Sequence, residues 1–221
     1  MAIIIRESFK TQAYNYIKQC ISEGTLEKNV VYTETYISGI LGISRTPVRE
    51  AVLQLVSEDI AELKPNKGFV IKNHSMDEIT EYLEVRRAVE LFAGMQTMKT
   101  RGTKEWNELT DRLRTIVKSS EEAVINRDLT GFARADAEFH QTVVDYTGNR
   151  LLKRMLSDSR AITDASAVYR DTDYRRQADI VKEHKMIADA VRRGERYDIA
   201  KAYDYHFDMC LKAIRRAYEE A

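Results

Sequence analysis

The stretch Leu41-Gly42-Ile43-Ser44-Arg45-Thr46-Pro47-Val48-Arg49-Glu50-Ala51 decides how this chain is read. Gly42 is a residue that ends helices and Ser44 is one that begins them, so two helices meet here across a tight turn. Upstream, Glu34–Leu41 fits a short helix with Thr33 as its N-cap. Downstream, Val48, Ala51, Val52, Leu55 and Val56 share one face of a second helix. Pro47 sits in the first turn of that helix, where its missing N–H costs little. The opposite face carries Ser44, Arg45, Thr46, Arg49 and Gln54.

Outward from this pair, residues 8–22 place Phe9, Ala13, Tyr16, Ile17, Cys20 and Ile21 on one helical stripe that Gly24 ends. After it, Ile60–Leu63 and Phe69–Ile71 flank Lys64-Pro65-Asn66-Lys67-Gly68, the turn chemistry of a hairpin, which predicts a two-stranded wing. Two short helices and a hairpin describe a winged helix-turn-helix whose second helix enters a DNA major groove. Arg45 and Arg49 lie one turn apart, and arginine bridges the two guanine acceptors or grips phosphate. Ser44 and Thr46 at a helix N-terminus suit phosphates. Lys67 and Gly68 stand at the wing tip. From spacing alone, Arg45 and Arg49 read equally well as a solvated face.

From Ser75 onward the pattern is helix after helix, over roughly 76–99, 104–127, 130–147, 150–169, 173–193 and 195–220. The breaks fall at Gly102, Gly131, Gly148-Asn149, Asp171-Thr172-Asp173 and Gly194. With 9 Gly and 2 Pro, both prolines in the first third, the chain is expected to be mainly α. Residues 1–75 form a winged helix-turn-helix, and 76–221 an all-α antiparallel bundle.

The net charge is zero, and residues 1–75 hold 9 Lys and Arg against 8 Asp and Glu. Contact with DNA therefore rests on local placement of a few cations rather than a global field. Cys20 and Cys210 lack metal-finger or redox spacing and read as reduced, partly buried thiols. The apolar run Ile3-Ile4-Ile5 is too short for a signal or a membrane span, and a cytoplasmic location is expected.

Four histidines occur: His74, His140, His184 and His206. His74, in the presumed linker, is expected to be solvated. Asp136 and His140 stand four apart on one helix and share a face. If Gly194 joins antiparallel helices, His184 and His206 lie about 15 Å and about 18 Å from the turn, nearly level. One carboxylate and three imidazoles converging in a bundle suit a transition metal. Isolated, hydrogen-bonded histidines fit the same spacing.

Leu41–Ala51 together with Lys64-Pro65-Asn66-Lys67-Gly68 closely resembles the signature of GntR-family bacterial regulators, over residues 8–72. The resemblance implies that Arg45, Thr46, Arg49, Lys67 and Gly68 touch operator DNA. Val31-Tyr32-Thr33-Glu34-Thr35 departs from the family's usual Leu-Pro-Ser-Glu-Arg-like run, so Thr35 replaces an arginine that often meets phosphate. Glu84-Val85-Arg86-Arg87-Ala88-Val89-Glu90, Asp136-Ala137-Glu138-Phe139-His140, Glu183-His184 and Tyr205-His206 look like the FCD effector domain of the FadR-type branch. That likeness spans 76–221, with six helices as in the VanR-like variant.

The second resemblance implies a divalent ion, zinc first and nickel or manganese as alternatives, on Asp136, His140, His184 and His206. It also implies a small carboxylate or hydroxy-acid effector at open positions of that ion. Arg86 is the candidate clamp for the effector carboxylate, with a salt bridge to Glu90 as the alternative reading. The resulting expectation is a homodimeric, ligand-responsive regulator, a repressor rather than an enzyme, on a palindromic operator. Two rivals are a His₃Asp metalloenzyme, for which no motif supplies a base, and a helical dimerisation module without a sensor.

Overall fold

Short helices and a small sheet fill the chain up to Ser75, and long helices fill the rest of the computed structural model, which describes residues 7–165 and 174–219. Two compact units result: Met1–Ser75 with Ala161–Arg170, and Met76–Arg160 with Asp171–Ala221. The first carries α1 (Phe9–Glu23), β1 (Val31–Tyr32), α2 (Glu34–Leu41), α3 (Arg45–Ser57), β2 (Ala61–Lys64) and β3 (Gly68–Ile71). Side-chain caps start α1 and α2: Ser8 accepts from the Thr11 N–H, and Thr33 accepts from the Tyr36 N–H at 3.1 Å. Such a cap is worth about 1 kcal/mol.

The core of this unit is the apolar face read from the sequence. Ile17, Ile37, Val48, Val52, Leu55, Phe69 and Ile71 are all fully buried. Each contributes roughly 1.5–3 kcal/mol relative to exposure.

The wing differs from the expected hairpin. Val31–Tyr32 adds a third strand, giving the antiparallel order β1-β3-β2, with Val31 opposite Val70 and Lys64 opposite Gly68. Two residues are too short to carry an alternating signal. They pair because Gly68 lacks a side chain: a Cβ there would lie 2.0 Å from the Tyr32 carbonyl oxygen, at a φ of +125°. His74 also departs from expectation. It is buried, with Nε2 3.0 Å from the Asp59 carbonyl oxygen, so it ties the exit of the sheet to the end of α3 instead of facing water.

The second unit holds α4 (Met76–Gln96), prolonged by a 3₁₀ turn at Thr97–Thr100, then α5 (Lys104–Ile125), α6 (Leu129–Tyr146), α7 (Arg150–Ala165) as far as Arg160, α8 (Tyr174–Arg193) and α9 (Arg196–Glu219). Parts of the expected helices at 166–169, 173 and 220, and the Asp171–Asp173 break, lie outside the described residues. Helix α5 stops short of the expected 127 because Arg127 adopts a left-handed backbone, φ +55°. Helices α4 and α6, α6 and α5, α5 and α8, α8 and α9, and α9 and α4 pack pairwise, so five helices close a ring.

Gly94 lets α4 approach α9 closely, since a Cβ there would meet the Tyr203 ring at 2.6 Å. Leu113, Phe139, Val143, Ile187, Val191, Ile199 and Tyr203 fill the ring with fully buried side chains. Among them sit groups that water would normally claim: Arg86, Glu90, Asp136, His140, Glu183, His184 and His206, each at most 3% exposed. Burial of that many polar groups requires partners for each.

Candidate functional site

Four helices of the ring supply the buried polar cluster. Asp136 and His140 come from α6, one turn apart, and place Oδ1 and Nε2 3.7 Å from each other. His184 comes from α8, its Nε2 3.6 Å from the same Asp136 oxygen and 3.1 Å from the His140 Nε2. His206 comes from α9, and its ring centroid lies 5.1 Å from that of His184 and 5.3 Å from that of His140. The turn at Gly194, φ +69°, makes α8 and α9 a hairpin, which is how residues 184 and 206 come level. One nitrogen from each of the three histidines lies within 4.8 Å of the others.

Each ring is held from behind. His140 Nδ1 meets the Glu90 carboxylate at 2.5 Å, and His206 Nδ1 meets the Glu183 carboxylate at 2.8 Å. A carboxylate accepts, so both Nδ1–H groups donate and Nε2 of each ring is left for another partner. His184 is positioned differently. It stacks on Phe139, centroids 4.3 Å apart and planes 7° from parallel.

The carboxylates are themselves secured: Arg86 Nε donates to Glu90 at 2.7 Å, and Arg176 pairs with both oxygens of Glu183. Arg86 also lies over the Phe207 ring, 5.6 Å from its centroid. Of the two roles left open for Arg86, the salt bridge to Glu90 is the one present. An effector clamp would have to exchange that partner.

Electrostatics follow from these contacts. Burial, reinforced by neighbouring His140, drives His184 well below the usual histidine value and keeps it neutral. Burial works to raise Glu90, but His140 and Arg86 prevail and hold it at about 2. Burial likewise opposes charge on His206, yet Cys210 and Glu183 push it up to about 10. The Nε2 atoms of a neutral His184 and of His140, whose Nδ1–H is spent on Glu90, meet beside the Asp136 oxygen as a cation-binding donor set, and His206 would join it by giving up its proton to an arriving ion. Fixed carboxylate partners behind two of them are the second layer such sites use.

Sequence reading found Asp136, His140, His184 and His206, and the structure brings all four together. It missed Glu90 as a partner of His140, Glu183 as a partner of His206, and Arg176. A carboxylate buried in a helix bundle has the same helical period as one on its surface. Glu138, between the two α6 ligand candidates, points away from them, half exposed and bonded to Arg112 at 3.1 Å. No general base stands there.

In the first unit the face of α3 opposite its core presents Ser44, Arg45, Thr46, Arg49 and Glu50, all exposed. Ser44 is the N-cap residue by position but accepts no side-chain cap bond. Lys67 is exposed at the wing tip, while Gly68 is half-buried against Tyr32. A glycine at 68 is therefore demanded by strand packing, whatever else its backbone touches. Thr35 is exposed in the first turn of α2.

Comparison with known proteins places both halves. Residues 9–71 match the model for bacterial regulatory proteins of the gntR family, and residues 81–209 match the FCD domain. This chain is a GntR-family transcriptional regulator with an FCD domain. The regulator is 25% identical over 210 residues to an uncharacterised HTH-type transcriptional regulator, YdhC, of Bacillus subtilis, covering 95% of this chain and 92% of that one. It is 24% identical over 95% of its length, and 90% of the relative's, to a probable D-xylose utilization operon transcriptional repressor of Paenarthrobacter nicotinovorans. A gluconate operon transcriptional repressor of Bacillus licheniformis is 22% identical, over 87% of this chain and 79% of that relative.

Among solved structures, Escherichia coli McbR/YncC superposes over 96% of the regulator and 100% of that chain, with a TM-score of 0.81 and 17% identity. These relatives are regulators of transcription, not enzymes. None of the described helices is long and apolar enough to cross a membrane.

Proposed function

We propose that this GntR-family regulator is a ligand-responsive operator-binding repressor whose FCD domain senses a small organic acid at a divalent metal ion. Asp136, His140, His184 and His206 hold the ion, zinc first, with nickel or manganese as alternatives. The observation that supports this is the approach of two imidazole Nε2 atoms to 3.1 Å beside the Asp136 oxygen. With His184 neutral and the His140 proton on Nδ1, a cation is the partner that satisfies both lone pairs and the carboxylate together.

When bound, the ion would supply a Lewis-acidic position that a carboxylate or hydroxy-acid oxygen can occupy. Glu90 and Glu183 hold the His140 and His206 rings in register, and Phe139 covers one face of His184. Arg86 would reach an effector carboxylate by exchanging Glu90 for it. Repression is favoured by the relatives named as operon repressors, and an acid effector by the one named for gluconate. Ser44, Arg45, Thr46, Arg49, Lys67 and the Gly68 backbone form the DNA surface. A homodimer in the cytoplasm, matched to a palindromic operator, completes the reading. The effector acts through different affinities for the DNA-competent and incompetent arrangements.

Native mass spectrometry on protein purified without chelators tests this. The expected mass is that of a dimer carrying one divalent ion per chain. Combined His184→Ala and His206→Ala should remove the ion and abolish acid-induced operator release. Metal-free native protein, or a double variant with unchanged metal and release, would leave only a helical dimerisation module.

A further inference from the structure

We propose that Cys210 is a thiolate ligand of this metal centre and makes it selective for ions that accept sulfur. The inference rests on the reading of Asp136 and the three histidines as a metal site, and adds a donor outside that set. Cys210 lies one helical turn beyond His206 on α9, its Sγ 3.7 Å from the His206 Nε2. That nitrogen, now in a hydrogen bond with the sulfur, is the one an ion would take from it, because Nδ1 donates to Glu183.

A five-coordinate ion bound to an imidazole nitrogen at about 2.05 Å and a thiolate at about 2.3 Å would hold those two atoms about 3.1 Å apart at 90° and about 3.8 Å apart at 120°. The observed 3.7 Å, now a sulfur–nitrogen hydrogen bond, matches the wider of these, so an ion could enter between the two atoms with little movement. Potential donor atoms of Glu183, His206 and Cys210 all fall within 4.8 Å of one another, as do those of the three histidines, so His206 belongs to both clusters.

Of the second cluster, Glu183 is already engaged by Arg176 and His206. That leaves nitrogen and sulfur as the available donors. The Arg176 guanidinium lies 3.7 Å from Sγ, a cation beside the atom that must become an anion. Coordination releases the thiol proton as the sulfur–metal bond forms. Sulfur shifts preference toward zinc and cobalt and away from manganese and magnesium, which favour oxygen.

Cobalt(II) loading of the chelator-stripped full chain reads this directly. Native protein should show visible ligand-field bands together with a sulfur-to-cobalt charge-transfer band in the near ultraviolet. Cys210→Ser and Cys210→Ala should each lose the charge-transfer band and keep the ligand-field bands, while Cys20→Ser keeps both. Zinc affinity by chelator competition should fall by at least about tenfold in Cys210→Ala, more than an outer partner of a ligand would cost at the low end, with manganese affinity unchanged.

Ligand-field bands without charge transfer in native protein would overturn the thiolate and leave the histidine site intact. A charge-transfer band that survives Cys210→Ala would overturn it as well. Native protein with no cobalt bands, indistinguishable from His184→Ala, would overturn both the thiolate and the metal reading.

Discussion

Arg49 stands exposed on α3, one residue after Val48, which is fully buried. That alternation separates what holds the helix from what the helix offers. Truncation of Arg49 removes no core contact, so its effect belongs to DNA alone. Arg49→Ala should weaken operator binding by about 1–3 kcal/mol, with unchanged helical content, if its guanidinium reads a base. Anisotropy titrations at fixed salt measure it, and an unchanged affinity would remove Arg49 from the reading set.

Residue-level reading succeeded where a side chain acts on its own helix: the Thr33 cap, the Gly42 end and the Asp136–His140 pair. It failed where the partner is distant in the chain. His74 could not be placed without the Asp59 carbonyl oxygen that receives it. Cys20 and Cys210 are the free, at least partly buried thiols that were expected, but the Arg176 guanidinium 3.7 Å from the Cys210 sulfur lies too far off in the chain to be read.

At the scale of elements, α4 contributes no proposed metal ligand yet fixes one through Glu90. Glu90→Gln keeps the shape but replaces a charged acceptor by a neutral amide, leaving Arg86 buried opposite it. Metal affinity should fall roughly 10- to 100-fold, measured by chelator competition, with operator affinity of the effector-free protein retained. Equal metal affinity in the variant would reduce Glu90 to a partner of Arg86 alone. Helix bounds were legible to within a few residues because Gly, Asp and Thr punctuate them. The third strand was not, since Val31–Tyr32 exists only through the space Gly68 leaves.

For the whole molecule, the two units should respond differently to loss of the ion. A bound ion stabilises the state that holds it by about 2.7 kcal/mol at a hundredfold excess over its Kd. Chelation should therefore lower the melting temperature of the FCD domain and spare the winged domain, read by calorimetry. His184→Ala should melt at the chelated value and show no further shift. Equal midpoints with and without chelator in the native chain would count against a bound ion. The hydrophobic period changes near Ser75, where the long helices begin, but nothing in it assigns Ala161–Arg170 to the first unit; the packing order of the later helices was not legible, because five of the six share the same amphipathic pattern.

That packing order has a kinetic consequence. The ring closes where α9 returns to α4, a pairing with α5 through α8 between its partners in the chain. Seams of such high contact order form slowly, whereas the neighbouring hairpins α5–α6 and α8–α9 form from local contacts. Asp136 and His140 ride on one of these local pairs and His184 and His206 on the other, so the proposed donor set is complete only when the two pairs meet through α5 and α8. An ion bound there, as proposed, would be captured only after that late docking and would hold the two pairs together.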